Sequence, residues 1–430
     1  MKFYQILLFS FVASTLLRCV PVSNSNYVTD KKLLTDNLNY EANVGMVQLY
    51  PYNQNLSSDL ENPVIPINDP NGFYLEFDLF QETYASLNVR YIHCNRDWSP
   101  SNLTSIRFLN EYNSFNITSF QYSANTVKPY VKYDINLPAP SISGNYLVVV
   151  SNSQSDRDII LSRRVIVYSN VANATGEVKL SNSVMNRAIN QQVAFTVSYQ
   201  GLDNVNPLRD LYVVLMQNHN WKTTIKGLQP TLVRHDQSFL EYFHFNSENN
   251  FPGMNEFRFF DLRSIDYRGM NVVNVQKEEN RVLAFLGLDK PRGGLAYSNL
   301  INDLNGGYYL VNSDPGDSQL QSEYVDVYFE LVSDEIEGHV FVAGQFNNWR
   351  LDDQNIMKYD PARNSYRTKL LLKQGYYDYM FWADSPNLVA NYFEGNHYQT
   401  RNNYEILVYY RDPINNYDEL IGYKNIKTNF

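Results

Sequence analysis

The chain has 430 residues, a formal net charge of −10 and a pI near 5.2, and only 19% of its residues are charged. An acidic surface repels phosphate backbones, which argues against a general nucleic-acid role. The length suits roughly three domains of ordinary size, and 35 Tyr with 24 Phe favour strands, where aromatic side chains pack on pleated surfaces.

Lys2 followed by the apolar run Ile6 to Leu17 predicts a cleaved export signal over residues 1–19. A run of about twelve apolar residues is too short to span a bilayer as a helix. Leu16-Leu17-Arg18-Cys19 is close to a bacterial lipoprotein cleavage box, with Arg18 where a small residue is expected. Cys19 is therefore a candidate lipid anchor, and an ordinary signal cleaved a few residues further on is the alternative. Once Cys19 is set aside Cys94 stands alone, so no disulfide framework exists and the thiol reads as buried and inert. Residues 20–45 are polar and mixed and read as a linker.

Strands are predicted from Met46 to Tyr52 and from Phe73 to Phe80, the latter placing Phe73, Leu75, Phe77 and Leu79 on one face. Tyr91 to Ser101 ends a strand in a polar loop. Tyr130 to Leu137 and Asn145 to Val150 read as a hairpin pair around Pro138 to Gly144, and Ile159 to Tyr168 completes a first sandwich over 46–170. In the next segment, 171–320, strands are predicted at Val193–Val197, Leu211–Met216, Gly253–Asp261 and Val282–Leu288, and Asn305-Gly306-Gly307 is a tight hairpin signal. The last segment, 321–430, opens with the alternating run Val325 to Leu331 and closes with Tyr404 to Tyr410. Within it, Tyr366 to Lys373 alternates cleanly, Gln374-Gly375 turns the chain, and Tyr377, Tyr379 and Phe381 continue as the next inward face. The expected fold class is all-β, three consecutive immunoglobulin-like sandwiches after the signal.

No constellation for catalysis is present: the sequence has no Walker loop, GxSxG, HExxH, CxxC or dinucleotide fingerprint. The six histidines are scattered without ligand spacing, so no metal or cofactor is expected and the chain reads as non-enzymatic. His93 beside Cys94 invites a nucleophile reading, but neighbouring residues of a strand point to opposite faces. A packed cysteine is the simpler reading, with Arg96 and Asp97 bracing the loop that follows.

The strand Val340 to Gly344, the loop through Asn347, Asn348 and Trp349, and the YxYxF strand together resemble early-set immunoglobulin-like modules that bind glycogen. The resemblance implies a sandwich. It argues less for sugar, because Met380 replaces the family's lysine and 383–386 offers no second tryptophan. A wider set of phrases occurs in order: HCNRDWSPS (93–101), YSANTVKPYVKYDINLP (122–138), SGNYLVVV (143–150), LSRRVIVY (161–168), QNHNW (217–221), NEFRFFDLRS (255–264), LDKPR (288–292), VFVAGQFNNW (340–349), LKQGYYDYMF (372–381) and EGNHYQTRNNYEILVYYR (394–411). Together they resemble the plug proteins of the type IX secretion system. That resemblance implies a periplasmic protein seated on the outer-membrane translocon barrel, sealing it at rest. The alternative is a periplasmic or surface glycan-binding lipoprotein. Trp98, Trp221, Arg258, Arg292 and Trp349 are the candidate partner-docking residues, each weighed against a purely structural role in its own loop.

Overall fold

Alternating strands leave one face of each sheet to be covered; in this protein two pairs of sheets cover one another and a nine-stranded sheet wraps its own core. The computed structural model describes residues 31–53, 58–299, 302–315 and 320–428, so the expected signal over 1–19 and Cys19 lie outside the described residues. The fold is all-β. Helix is confined to short turns such as Ser105–Phe108 and Pro207–Asp210, and no helix among the described residues is long and apolar enough to cross a membrane.

The first pair of sheets is built on the strands Val44–Pro51, Phe73–Leu79, Val131–Leu137 and Ser119–Tyr122, hydrogen-bonded in that order. The facing sheet runs Leu38–Asn39, Ser155–Tyr168, Gly144–Asn152, Leu87–Cys94 and Phe115–Asn116, with Val64–Pro66 parallel to Ser155–Tyr168. Phe73, Leu75, Phe77 and Leu79 meet Val89, Tyr91, Val148 and Val165 between them. The polar segment before Met46 is not a free linker over its described part. Leu38–Asn39 pairs with Ser155–Tyr168, and the ammonium of Lys31 binds Asp158 and Glu41.

Three expected hairpins are absent. The turn at Asn305-Gly306 leads into Tyr308–Tyr309, which pairs with the distant strand Tyr376–Asp384. Val131–Leu137 pairs with Phe73–Leu79, whereas Gly144–Asn152 pairs with Leu87–Cys94 and Ser155–Tyr168 in the other sheet. Pro138 and Pro140 lack the N–H groups that a ladder needs, and the connection crosses the sandwich. Likewise Ser365–Lys373 pairs with Tyr324–Val332, while Tyr376–Asp384 pairs with His339–Ala343 and Arg258–Asp261. The corner between them is fixed from outside: Gln374 N–H donates to Glu323 O at 2.9 Å and Leu262 N–H to Gly375 O at 2.8 Å.

Strand pairing also crosses the expected limit at 320. Leu211–Gln217 pairs with Asn403–Arg411, which pairs with Asp418–Lys427. Val213, Leu215, Ile406 and Val408 of that sheet need the apolar face of Phe195, Val197 and Tyr242 opposite, so strands near the C-terminus close the middle sandwich. In return Val282–Leu286 runs parallel to Tyr324–Val332, and Phe260, Val282 and Ala284 join the core of Phe329, Val340, Val342 and Phe381. The predicted strand over 253–261 shrinks to Arg258–Asp261. Upstream of it Met254 takes a φ of 59° and Asn255 donates its side-chain amide to Glu394 O at 3.0 Å.

The packed pairs are cross-linked by polar contacts. Tyr409 donates its hydroxyl to Asn145 Oδ1 at 2.9 Å. Arg96 Nη1 donates to Asp418 at 3.0 and 3.1 Å, and its guanidinium lies 3.6 Å from the ring centre of Tyr212.

Candidate docking residues and a central cleft

The loop after Leu87–Cys94 turns through Trp98, whose φ is 68° and whose N–H donates to Asn95 O at 2.8 Å. This geometry sends the indole back into the protein, where it is 3% exposed. Its ring meets that of Trp221 edge-on, centroids 5.0 Å apart, and the guanidinium of Arg164 sits 4.4 Å over it. Trp221 starts the short turn Trp221–Thr223, capped by Asn220 Oδ1, which accepts Lys222 N–H at 2.9 Å. Trp221 is half-buried. Two candidates 123 positions apart in sequence (98 and 221) are thus one aromatic stack with an arginine over it.

Arg258 and Arg292 also converge, on Glu394. Arg258 Nε donates to both Glu394 oxygens at 2.9 and 3.0 Å, and its Nη1 to Asp289 Oδ1 at 2.6 Å. Arg292 Nε reaches Glu394 Oε2 at 2.9 Å, and Phe381 N–H donates to Oε1 at 2.9 Å. Burial opposes ionisation of Glu394, but the charges of Arg258 and Arg292 prevail and hold its carboxyl below the usual range. Burial raises Asp289, against the pull of Arg258. The network ties the strands Arg258–Asp261 and Tyr376–Asp384 to the loop carrying Asp289 and Arg292 and to the loop carrying Glu394, so Arg258 is a structural residue and not a free docking arm. Arg292 keeps part of its surface.

Trp349 is 4% exposed. It follows the short turn Gln345–Asn347 in a left-handed conformation, φ 57°, and packs against Phe257 at 5.7 Å between centroids and beneath Gly306. Its ring offers no face to a partner or to a sugar. Trp98 and Trp349 are thereby corrected from docking tips to packed residues.

The His93-Cys94 pair behaves as the strand geometry requires. Cys94 is buried and its thiol is pushed up to about 12 by that burial, while burial brings His93 down to about 4. His93 Nδ1 lies 2.7 Å from Ser101 Oγ. Asp97 braces its loop, accepting Ser99 N–H at 2.9 Å. Arg96 instead reaches across to Asp418.

Trp221 and Trp349 share one wall-lined space, a cleft of about 390 Å³. Its walls come from the first sandwich (Asn62, Arg163, Arg164), the middle one (Asn220, Trp221) and the last (Asn348). Arg163 and Arg164 were not singled out in the sequence, yet they carried a signal: two charges inside the apolar strand Ile159 to Tyr168. Arg164 donates to Thr35 O at 2.6 and 3.0 Å and pairs with Asp36 at 3.3 Å. Arg163 donates Nη1 to Leu38 O and Ser162 O at 3.0 and 2.8 Å, and Nη2 to Asn39 Oδ1 at 2.7 Å.

With this geometry in place, residues 44–169 match the family model described as the first domain of type 9 secretion system plug proteins. Residues 44–169 belong to the plug family. The matched span is the first pair of sheets, from the start of Val44–Pro51 to the residue after Ser155–Tyr168. The plug domain ties the chain to type IX secretion, and it supplies Trp98, Arg163 and Arg164 of the stack and cleft. The whole chain is similar to the crystal structure of a hypothetical protein from Parabacteroides merdae, with 27% identity and a TM-score of 0.85, over 92% of this chain and 100% of that one. No curated protein matches the sequence.

Proposed function

We propose that the protein is a non-enzymatic part of the type IX secretion system that closes the periplasmic end of the outer-membrane translocon barrel at rest. The observation that carries this reading is the plug domain over 44–169. Rigidity supports it. A stopper has to resist deformation, and contacts such as the buried Tyr409 to Asn145 and the part-buried Arg96 to Asp418 join the sheet pairs. A reversible seat also calls for a mixed polar and apolar face, because an obligate interface is larger and more hydrophobic. Of the docking residues expected from the sequence, Trp221 and Arg292 retain surface and remain the ones offered for contact.

The test is deletion of the gene with measurement of outer-membrane entry by large antibiotics, together with purification of the barrel from native membranes. Faster entry, and recovery of this chain on the closed barrel, are expected. Unchanged permeability with a barrel that never carries the chain would refute the reading.

A further inference from the structure

We propose that the central cleft is a binding site for a short polypeptide segment bearing a carboxylate, with Arg163 as its anchor.

The charge balance of the walls points to an anion. Arg163 is 5% exposed, and among the described residues its guanidinium has no carboxylate partner and its Nε no acceptor. Three of its five N–H groups are engaged, all by neutral oxygens. Burial pulls Arg163 down to about 10, and the charge of Asp36 does not offset it. A guanidinium taken from water is expensive unless it is paired, and a carboxylate matches its planar fork. Of the other basic groups in the lining, Arg164 is paired with Asp36, Arg350 with Asp352 at 2.7 Å and His219 with Glu405 at 2.9 Å, and Lys222 is exposed to solvent. Asp36, Asp59 and Glu61 also line the cleft and repel an anion, so the carboxylate has to sit within hydrogen-bond reach of the Arg163 guanidinium.

The remaining lining favours a peptide over a sugar. The side-chain amides of Asn62, Asn305, Gln345 and Asn348 line the cleft and make no hydrogen bond with the described residues. Each offers a donor beside an acceptor, the same pair that a peptide group presents. A sugar site would need an open aromatic face. Trp349 is covered by Gly306 and Phe257, and Trp221 has Trp98 edge-on at 5.0 Å and Arg164 at 5.8 Å.

The chain has four tryptophans, two of them lining the cleft, so fluorotryptophan NMR of the full chain reads the site directly. Probes are acetyl-trialanine with a free C-terminus, the same peptide amidated, an amidated peptide with a central Glu, sodium phosphate, and maltotriose. Saturable movement of the Trp221 and Trp349 signals with a carboxylate-bearing peptide, at least tenfold weaker for amidated trialanine, is expected. The free-terminus and Glu peptides tell a chain end from an acidic side chain. Arg163→Met should abolish the response, and Asn348→Ala, at a half-exposed position, should weaken it should Arg163→Met not fold. Equal responses to acid and amide, a response to phosphate or maltotriose as strong as to peptide, or no response would each overturn the proposal.

Discussion

Tyr324 donates its hydroxyl to Asp78 Oδ2 at 2.6 Å, joining the plug domain to the last sandwich across 246 residues. Lys373 Nζ stands 2.7 Å from the same oxygen and 4.2 Å from the ring centre of Tyr130, and Met46 N–H donates to the Tyr324 hydroxyl at 2.8 Å. All five residues are buried. Removing the hydroxyl orphans an N–H and takes one donor from the carboxylate, so Tyr324→Phe should cost ~1–3 kcal/mol. Lys373→Met removes the cation paired with the buried Asp78, and ~3–5 kcal/mol is expected for breaking a buried pair from one side. Urea midpoints of both variants check the order, and a Lys373→Met midpoint at or above that of Tyr324→Phe would contradict it.

How much of this was legible in the sequence depends on the range of the cause. Period-two alternation is local, and it placed strands at Phe73–Leu79, Tyr324–Val332 and Ser365–Lys373 to within a residue or two. Turn chemistry is local as well, but it says that the chain turns and not which sheet it enters. Gln374-Gly375 therefore looked like a hairpin, although its partners are Glu323 and Leu262. Trp98 and Trp349 looked like loop tips because loops are commonly exposed, and Arg258 like a charge on the polar side of its predicted strand. Their burial is decided by distant residues, namely Arg164, Glu394 and Gly306.

Glu394 is the countercharge for two arginines at once. Glu394→Gln keeps the shape and deletes the charge, leaving the buried Arg258 with Asp289 alone and the part-exposed Arg292 with none. A loss of ~3–5 kcal/mol is expected for breaking a buried network from one side. The exposed pair Arg281–Glu278 serves as a control, and Glu278→Gln should leave the midpoint nearly where it is. Equal midpoints for the two variants would show that the Glu394 network is not structural.

Asp378 gives the stability a pH dependence. It is fully buried, its Oδ2 accepts Leu304 N–H at 2.5 Å and Gly306 N–H at 3.3 Å, and its Oδ1 has no partner among the described residues. Burial, and then the charge of Asp303, push its carboxyl from 3.8 up to about 8. The folded state therefore holds a proton that the unfolded chain releases, and this contribution is full below pH ~4 and lost as the pH rises towards 8. Asp378→Asn should flatten the fall in Tm between pH 5 and pH 8 and raise Tm at pH 8. Asp303, also raised by burial first, leaves a residual slope. An unchanged slope in the variant would remove Asp378 from this role.

Cys94 should be silent in the native protein. Its thiol is buried and pushed up to about 12, so thiolate is scarce at pH 8 and access is blocked. A Cys19→Ser chain treated with a thiol-reactive disulfide reagent should release no chromophore until denaturant is added, and then one equivalent. Rapid native labelling would mean that the loop 95–101 opens readily.

Gly306 holds the indole of Trp349 in place. Asn305 and Gly306 both take left-handed φ values, 54° and 81°, the pair of signs a type I′ turn requires. A Cβ on Gly306 would stand 2.7 Å from Trp349 Cζ2 and 3.0 Å from Phe257 Cε1, and Gly306 N–H and O are tied to Asp378 and to Gln345 N–H. Gly306→Ala therefore meets two penalties, the left-handed backbone and the overpacked ring, and ~2–4 kcal/mol is expected. Trp349→Phe removes the six-membered half of the indole that lies in the way. On that background Gly306→Ala should lose only the backbone part, ~1–2 kcal/mol, so a double-mutant cycle separates the two. An equal cost on both backgrounds would show that the ring is not the obstacle and that the turn alone selects glycine.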